Sequence, residues 1–328
     1  MLKTFILYQA SIVLAFLFDL IFGDPRKFPH PVKFIGFLAS KFEPFFRKKI
    51  KNEKIAGTFF AVSIILVTLI LTSSLVIGFY FINIYLSFFI AFFLIYTAIA
   101  YKDLKIESLK VLNSLKNNNI VEARKNLSMI VGRDTQNLNE DEIIRATVET
   151  IAENLVDGIL SPIFYAFAGN AIFTLIFKAV STLDSTVGYK NEKYKYFGTA
   201  SAKIDDILNF IPARISLILI PIASFICKKD WKNSLKIALR DRNKNPSPNS
   251  GIPEAAFAGA LGISLGGLNF YNKIPVYKPK IGDAKKDLDQ KDIIDALKIT
   301  TVSTILFIFF CIALFNIIFA LIFLILMP

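Results

Sequence analysis

Residues 55–101, IAGTFFAVSIILVTLILTSSLVIGFYFINIYLSFFIAFFLIYTAIAY, decide the fold class. The run is long enough to cross a hydrocarbon core of ~30 Å twice, since each crossing takes about 20 apolar residues. Asn83, near its middle, marks the expected turn between the two crossings. The rest of the chain agrees with a membrane protein. Of its 328 residues 54% are hydrophobic and 33 are Phe, and the mean hydropathy is +0.53. That is too apolar for an ordinary soluble domain, yet it leaves room for long polar loops.

Working outward, residues 5–22 form another apolar run, which ends in FGDPRKFP without a small-residue cleavage site. It is expected to remain as an anchor. Residues 302–327 make a further span. Two other apolar segments are interrupted: 159–180 by Pro162, Gly169 and Asn170, and 207–227 by Pro212, Arg214 and Pro221. The expected fold is therefore all-α and polytopic, with helical elements at the cytoplasmic side. Four full spans are favoured, with the two interrupted segments as broken or shallow helices, because prolines disfavour helices in contact with lipid. Six spans are the alternative. We read residues 1–328 as one membrane-embedded domain: the first three spans in 1–101, a polar helical region in 102–158, polar motifs with the two broken segments in 159–300, and the last span in 301–328.

The net charge is +12, and Lys and Arg outnumber Asp and Glu by 9 to 3 in the loop 23–54 and by 14 to 8 in the loop 228–300; the helical pair that follows the first returns the chain to the same side at Lys102, where the polar loop 102–158 begins. Basic loops stay on the cytoplasmic side, so these loops are expected there, both termini outside, and the chain in the cell membrane as a multi-pass protein. No reader motif accompanies the charge, so nucleic acid is not an expected partner. Cys227 and Cys311 lie in or beside apolar segments, with no CxxC and a single histidine in the chain. A structural zinc site or a disulfide framework is not expected.

Three polar concentrations carry the chemistry. LNEDEIIRATVETIAENLVDG, residues 138–158, opens with Asn139 and Glu142 in capping-box spacing and has Gly158 as an expected stop. Arg145, Glu149, Glu153 and Asp157 recur every four residues and so share one helix face. A solvated face is the plain alternative. The stripe runs directly into an apolar segment, however, where an unpaired carboxylate would cost about 2.5–3.5 kcal/mol, and this favours a polar pocket. Paired carboxylates such as Glu149 and Glu153 suit Mg²⁺, which takes one or two of them and leaves positions for phosphate oxygens. The second concentration, residues 181–214, offers Asp184, Tyr189, Lys190, Glu192, Asp205, Asp206 and Arg214; its plain alternative is a connecting loop with helix caps. In the third, Arg240, Asp241 and Arg242 precede Pro and Ser turns. An Ala and Gly series follows that permits close helix packing or presents backbone N–H groups to an anion.

Four motifs in this order, DLIFGDPRKFPHPVKFIG (19–36), VGRDTQNLNEDEIIRATVETIAENLVDGILSPIFY (131–165), STLDSTVGYKNEKYKYFGTASAKIDDILNFIPAR (181–214) and NPSPNSGIPEAAFAGALGISLGG (245–267), resemble the adenosylcobinamide-phosphate synthase family of cobalamin biosynthesis, the CbiB/CobD type. The resemblance covers nearly the whole chain. It implies a membrane ligase that uses ATP and Mg²⁺ to join adenosylcobyric acid, a corrinoid, to aminopropanol or aminopropanol phosphate as an amide. It departs from the family at Asn245, often His there, and Ile252, often Trp.

Combining the residues with the resemblance, we take Glu149, Glu153, Asp157, Asp184 and Lys190 as catalytic candidates, with Glu149 and Glu153 as the possible Mg²⁺ ligands. Substrate-binding candidates are Asp24, Arg26, His30, Arg133, Asp134, Asn154, Tyr189, Asp205, Asp206, Arg214, Arg240, Asp241, Ser247, Asn249 and Glu254. Arg133, Lys190, Arg214 and Arg240 are the candidates for phosphate. Asp24, Arg26 and His30 stand where the first span meets the cytoplasmic surface, and Pro25, Pro29 and Pro31 restrict the backbone that carries them. A membrane exit with snorkelling Arg and Lys is the plain alternative there. Expected partners are the two substrates, membrane lipid and other membrane enzymes of cobalamin assembly. A corrinoid-binding transporter would use similar broken helices, but no repeated half is evident. A non-catalytic relative of the AmpE type is the third reading, against which the retained acidic stripe argues.

Overall fold

The structure is a computed structural model that describes residues 2–24, 30–189 and 191–326. Arg26 and Lys190 lie outside the described residues. The chain forms two compact units, residues 1–100, 158–209 and 308–328 in the first, 101–157 and 210–307 in the second.

The first unit contains α1 (Leu2–Phe22), α2 (Pro31–Lys49), α3 (Glu53–Ile82), α4 (Ile84–Tyr96) and α8 (Ser161–Val187). Asn83 turns the chain between α3 and α4, and its side chain accepts from Tyr85 N at 2.8 Å to cap α4. α3 packs against α2, α4 and α8. Ala56, Phe60, Ala61, Ile64, Ala179, Leu183 and Phe197 form a core cluster between them. Gly57 lets two backbones approach there, for a Cβ at that position would stand 1.8 Å from the Phe197 carbonyl oxygen. Ile70, Phe81, Ile82 and Phe89 point outward, as side chains in contact with lipid do.

The second unit contains α5 (Tyr101–Lys116), α6 (Ile120–Ser128), α7 (Glu140–Asn154), α10 (Trp231–Asp241), α11 (Gly251–Leu261) and a β-hairpin, β1 (Leu265–Tyr271) with β2 (Ile274–Ile281). The capping box at Asn139 and Glu142 is formed. The Ala and Gly series is used for close packing. Gly259 approaches Asn233, whose side-chain amide donates to Gly259 O at 2.7 Å, and Ser234 Oγ donates to Ala256 O at 2.9 Å.

The fold is mostly helical, but the hairpin amends the all-α expectation. β1 and β2 are antiparallel, and Asn272 and Lys273 both take positive φ, 50° and 65°. Two-residue hairpin turns of that hand need this backbone, and Asn accepts it well. A second correction concerns Gly158. The chain does not leave the helix there; it passes through a π-helical turn, Leu155–Leu160, into α8. Gly158 O accepts from Ala100 N at 3.1 Å.

Six helices among the described residues are long and apolar enough to cross a membrane, in the ranges Leu2–Phe22, Glu53–Ile82, Ile84–Lys116, Glu140–Val187, Thr199–Ile226 and Gln290–Ile325. The interrupted segments behave differently from one another. α8 is broken at Gly169 and Asn170, which have non-helical backbones, while Pro162 sits where the π-helical turn passes into α8, and the carbonyl four residues before it, Gly158 O, accepts from Ala100 N instead. α9 (Thr199–Ile226) is one continuous helix through Pro212 and Pro221, which corrects the expectation of a broken 207–227. Each proline removes one helical hydrogen bond but not those around it. The last helix, α12 (Gln290–Leu326), is also continuous.

Candidate functional site

Glu149 lies on α7 and is buried. Its Oε2 pairs with Arg133 Nη2 and its Oε1 accepts from Gly266 N at 2.7 Å. Arg133 Nη1 donates in turn to Asn269 Oδ1 at 2.5 Å. One turn earlier, Arg145 donates to the carbonyl oxygens of Gly266 and, at 3.2 Å, Leu268. This half of the charged stripe is therefore not solvated: it grips β1. Burial would lower the Arg133 pKa, but the charge and hydrogen bond of Glu149, with Tyr271 and Glu153, outweigh it and raise the value.

Glu153, one turn further, is exposed, with no hydrogen-bond or ion-pair partner among the described residues. Its charge nevertheless acts on Arg133, Lys278 and Glu254. Glu254, from the first turn of α11, is buried, and both of its carboxyl oxygens accept from Asn245 Nδ2 at 3.0 Å. Burial first, then the charges of Glu153 and Glu149, push its pKa up to about 8 against the opposing pull of Lys278 and Asn245. Glu254 thus holds a proton near neutrality, under the influence of two carboxylates and one cation, Lys278. Burial lowers the Lys278 pKa, but Glu254, Tyr271, Glu153 and Glu149 raise it further.

A pH dependence follows. Because the folded-state pKa of Glu254 lies above that of the free carboxyl, the folded protein binds its proton more tightly than the unfolded chain does. The resulting stabilisation is complete below pH ~4.5 and is lost as pH rises toward about 8. Melting of the detergent-solubilised protein from pH 6 to 9 is expected to show a steeper decline for wild type than for Glu254→Gln, which cannot ionise. Parallel declines would remove Glu254 as the source.

The remaining predicted residues fall into separate groups. In the second unit, Asp134 accepts from Lys273 N at 2.6 Å and holds the hairpin turn. Asn154 donates to Thr150 O at 3.0 Å, and Asp157 stands half-buried in the π turn. Arg240 is taken up by Asp241 and Asp283, and Asp241 also accepts from Gly282 N at 2.8 Å. The Arg240 hydrogen bonds hold the Asp241 carboxyl below the usual carboxylate range. Ser247 Oγ accepts from Asn249 N and Ser250 N at 3.3 and 3.4 Å. Arg214 Nη1 donates to Asn249 Oδ1 at 2.5 Å.

In the first unit, His30 caps α2 by accepting from Val32 N at Nδ1, which leaves Nε2 protonated, 2.6 Å from Asp24 Oδ1. Asp205 accepts from Asn209, which accepts from Ser161 Oγ. Asp184 and Asp206 are half-buried, and Tyr189 is exposed. The residues that draw together are therefore Arg133, Glu149, Glu153 and Glu254, joined by Asn245, Asn269, Tyr271 and Lys278, which sequence reasoning did not include. A turn signal in YNKI, residues 271–274, could have found the hairpin that supplies three of them.

The family described as CobD/Cbib protein matches residues 12–300, a range that contains this whole cluster. The chain belongs to that family. Among its relatives, the "Cobalamin biosynthesis protein CobD" of Clostridium perfringens is 51% identical over 284 residues, covering 86% of this chain and 90% of the relative. The protein of the same name in Leptospira interrogans serovar copenhageni is 44% identical over 301 residues, covering 92% and 96%. That of Listeria monocytogenes serotype 4b is 42% identical over 304 residues, covering 90% and 95%. No solved structure matches the chain. Family membership supports a role in cobalamin biosynthesis for a chain with six apolar helices of membrane-spanning length.

Among the described residues no three His, Cys, Asp or Glu side chains stand together as a metal cage. Both Glu149 oxygens are engaged. Glu153 is exposed and unengaged, which fits an ion such as Mg²⁺ that takes one or two carboxylates and fills its other positions with water and phosphate.

Proposed function

We propose that this chain forms an amide between the propionate carboxylate of adenosylcobyric acid and the amine of aminopropanol or aminopropanol phosphate, with ATP, giving adenosylcobinamide or its phosphate. The observation that carries the reading is Glu254: a buried carboxyl held by the Asn245 amide, its pKa pushed up to about 8 by burial and by Glu153 and Glu149 against Lys278, in a family of cobalamin biosynthesis.

A carboxylate accepts a nucleophile poorly. Its oxygen first attacks the terminal phosphorus of ATP and ADP leaves; the amine nitrogen then attacks the carbonyl carbon of the acyl phosphate, and inorganic phosphate leaves as the amide bond forms. The amine attacks as the free base and sheds a second proton on forming the amide. Glu254 can take such a proton once ionised, because its pKa lies near the working pH. Arg133 and Lys278 supply positive charge beside the transferring phosphoryl group. Glu153 would hold Mg²⁺, which neutralises charge on the ATP phosphates. Purified protein in detergent with adenosylcobyric acid, ATP and each amine is the direct test. Mass spectrometry is expected to detect the amide, and its absence with both amines would remove the reading.

ATP is cytoplasmic, so the polar loops 23–54, 102–158 and 228–300 should be too. Cysteine replacing Lys51, Lys116 or Lys244 is expected to resist a membrane-impermeant thiol reagent in intact cells. Labelling of any one of them from outside would reverse the proposed orientation.

A further inference from the structure

α10 divides its circumference in three. Asn233, Ser234, Ile237, Ala238 and Asp241 are buried, on the side that packs against α11. Trp231, Leu235 and Leu239 recur every four residues and so form a stripe beside that face. Trp231 and Leu239 are exposed, 40% and 52%, and Leu235 is half-buried. Lys232 and Lys236, each one residue after a member of the stripe, make a parallel row and are both exposed. Among the described residues neither lysine has a hydrogen bond or an ion pair. The Lys232 ammonium lies over the Trp231 ring, 5.8 Å from its centroid.

The apolar stripe does not end with α10. The last turns of α9 present Ile218, Ile222 and Phe225, all exposed, and with Pro221, Trp231 and Leu235 these line one groove of about 350 Å³ whose wall contains no polar residue. Phe225 and Trp231 meet edge to face, ring centroids 6.2 Å apart. α9 is long and apolar enough to cross a membrane, so its outward side chains suit lipid tails, and Lys228, exposed just beyond its end, suits headgroups. The stripe on α10 continues that face past the point where the helix stops. An apolar stripe that holds a tryptophan and is edged by lysines is the composition of a helix lying in the plane of a membrane interface. The indole places its ring in the apolar layer and its N–H in the wet one.

We infer that α10 docks on the bilayer surface, with Trp231, Leu235 and Leu239 among the upper acyl chains and Lys228, Lys232 and Lys236 on anionic phospholipid headgroups. Lysine stems run along apolar surface and carry their ammonium groups out to headgroup depth, and an anionic leaflet attracts them within a Debye length, ~10 Å at 0.1 M salt. α11, which carries Glu254, packs on the side of α10 that faces away from the stripe and the lysines. The docked helix therefore sets the depth of that carboxyl relative to the bilayer. The inference holds whatever reaction the chain performs.

Trp231 is the only tryptophan in the chain, so its fluorescence reports on this face alone. The full-length protein is reconstituted in phosphatidylcholine vesicles that contain lipids brominated either near the headgroup or near the chain end. Shallow bromines are expected to quench Trp231 about twofold more than deep ones, and acrylamide in the water to quench it little. Carrying the same shallow bromines on phosphatidylglycerol instead of phosphatidylcholine, at equal mole fraction and ~0.1 M salt, should raise the quenching about twofold again. In the double variant Lys232→Gln with Lys236→Gln that preference is expected to vanish, with the melting temperature in detergent unchanged because neither lysine has a partner in the fold to lose. Trp231→Phe with Leu239→Trp moves the indole two turns along, about 12 Å, and the shallow preference should follow it. Deep quenching stronger than shallow, or an indole at either position open to acrylamide, would overturn the docking. So would an indole shielded from bromines and acrylamide alike, which would put a protein surface, a second copy included, over the stripe. Equal quenching by the two headgroups in wild type, or a preference retained in the double variant, would sink the anionic contact.

Discussion

Glu153→Gln is expected to lower turnover at least a hundredfold, about 2.7 kcal/mol of transition-state stabilisation, while leaving the melting temperature within a degree or two of wild type. The two halves of this expectation come from the same observation. Glu153 is exposed and bonds no described side chain, so its carboxylate supports nothing in the fold. Yet its charge reaches Arg133, Lys278 and Glu254, so it can hold the metal of ATP. Replacing it by its amide keeps the shape and removes the charge. The Mg²⁺ concentration for half-maximal activity should rise as well. Turnover within threefold of wild type at saturating Mg²⁺ would return Glu153 to a solvated position on α7.

The membrane character and the chemistry of α7 were legible in the sequence for definite reasons. Residues 55–101 carry no charge, so their environment is settled by composition; Asn83 turns the chain because its side chain caps the helix that follows. The four-residue spacing of Arg145, Glu149, Glu153 and Asp157 put them on one face, and a helix has few other ways to arrange them. What that face meets was not legible. Arg145 and Glu149 contact Gly266, more than a hundred residues away, and no local pattern reports such a contact. The hairpin itself was concealed by GISLGG, where glycines at positive φ read as loop or close packing. Lys278 and Tyr271 went unseen with it. Asn245 was set aside because the resemblance departs there, but its amide is what binds Glu254. Nor does proline content alone report a broken helix: Pro212 and Pro221 lie inside continuous α9, while the break in α8 falls at Gly169 and Asn170.

The Arg133–Glu149 pair should show the opposite balance from Glu153, with a large effect on stability. Both side chains are almost fully removed from solvent, 7% and 5% exposed, and breaking a buried pair by removing one partner costs about 3–5 kcal/mol because the other charge is left uncompensated. Glu149→Gln is not a mild change here. One carboxylate oxygen faces the Arg133 guanidinium and the other the Gly266 N–H, so both positions need an acceptor. A glutamine must turn its NH₂ toward one of these donors and leave it unsatisfied. Arg133→Met leaves Glu149 charged with only the Gly266 N–H and should cost a similar amount. Removing both charges together, in Arg133→Met with Glu149→Leu, eliminates the uncompensated ion. The Gly266 N–H and Asn269 still lose partners, at about 1–3 kcal/mol each, so the double variant should be less stable than wild type but well above the sum of the single losses. A denaturant titration of wild type, Arg133→Met, Glu149→Leu and the double variant closes the cycle and gives the coupling directly. Losses that add would mean that the two charges do not depend on one another, and Glu149 would then be free to serve as a metal ligand beside Glu153 instead of anchoring β1 to α7.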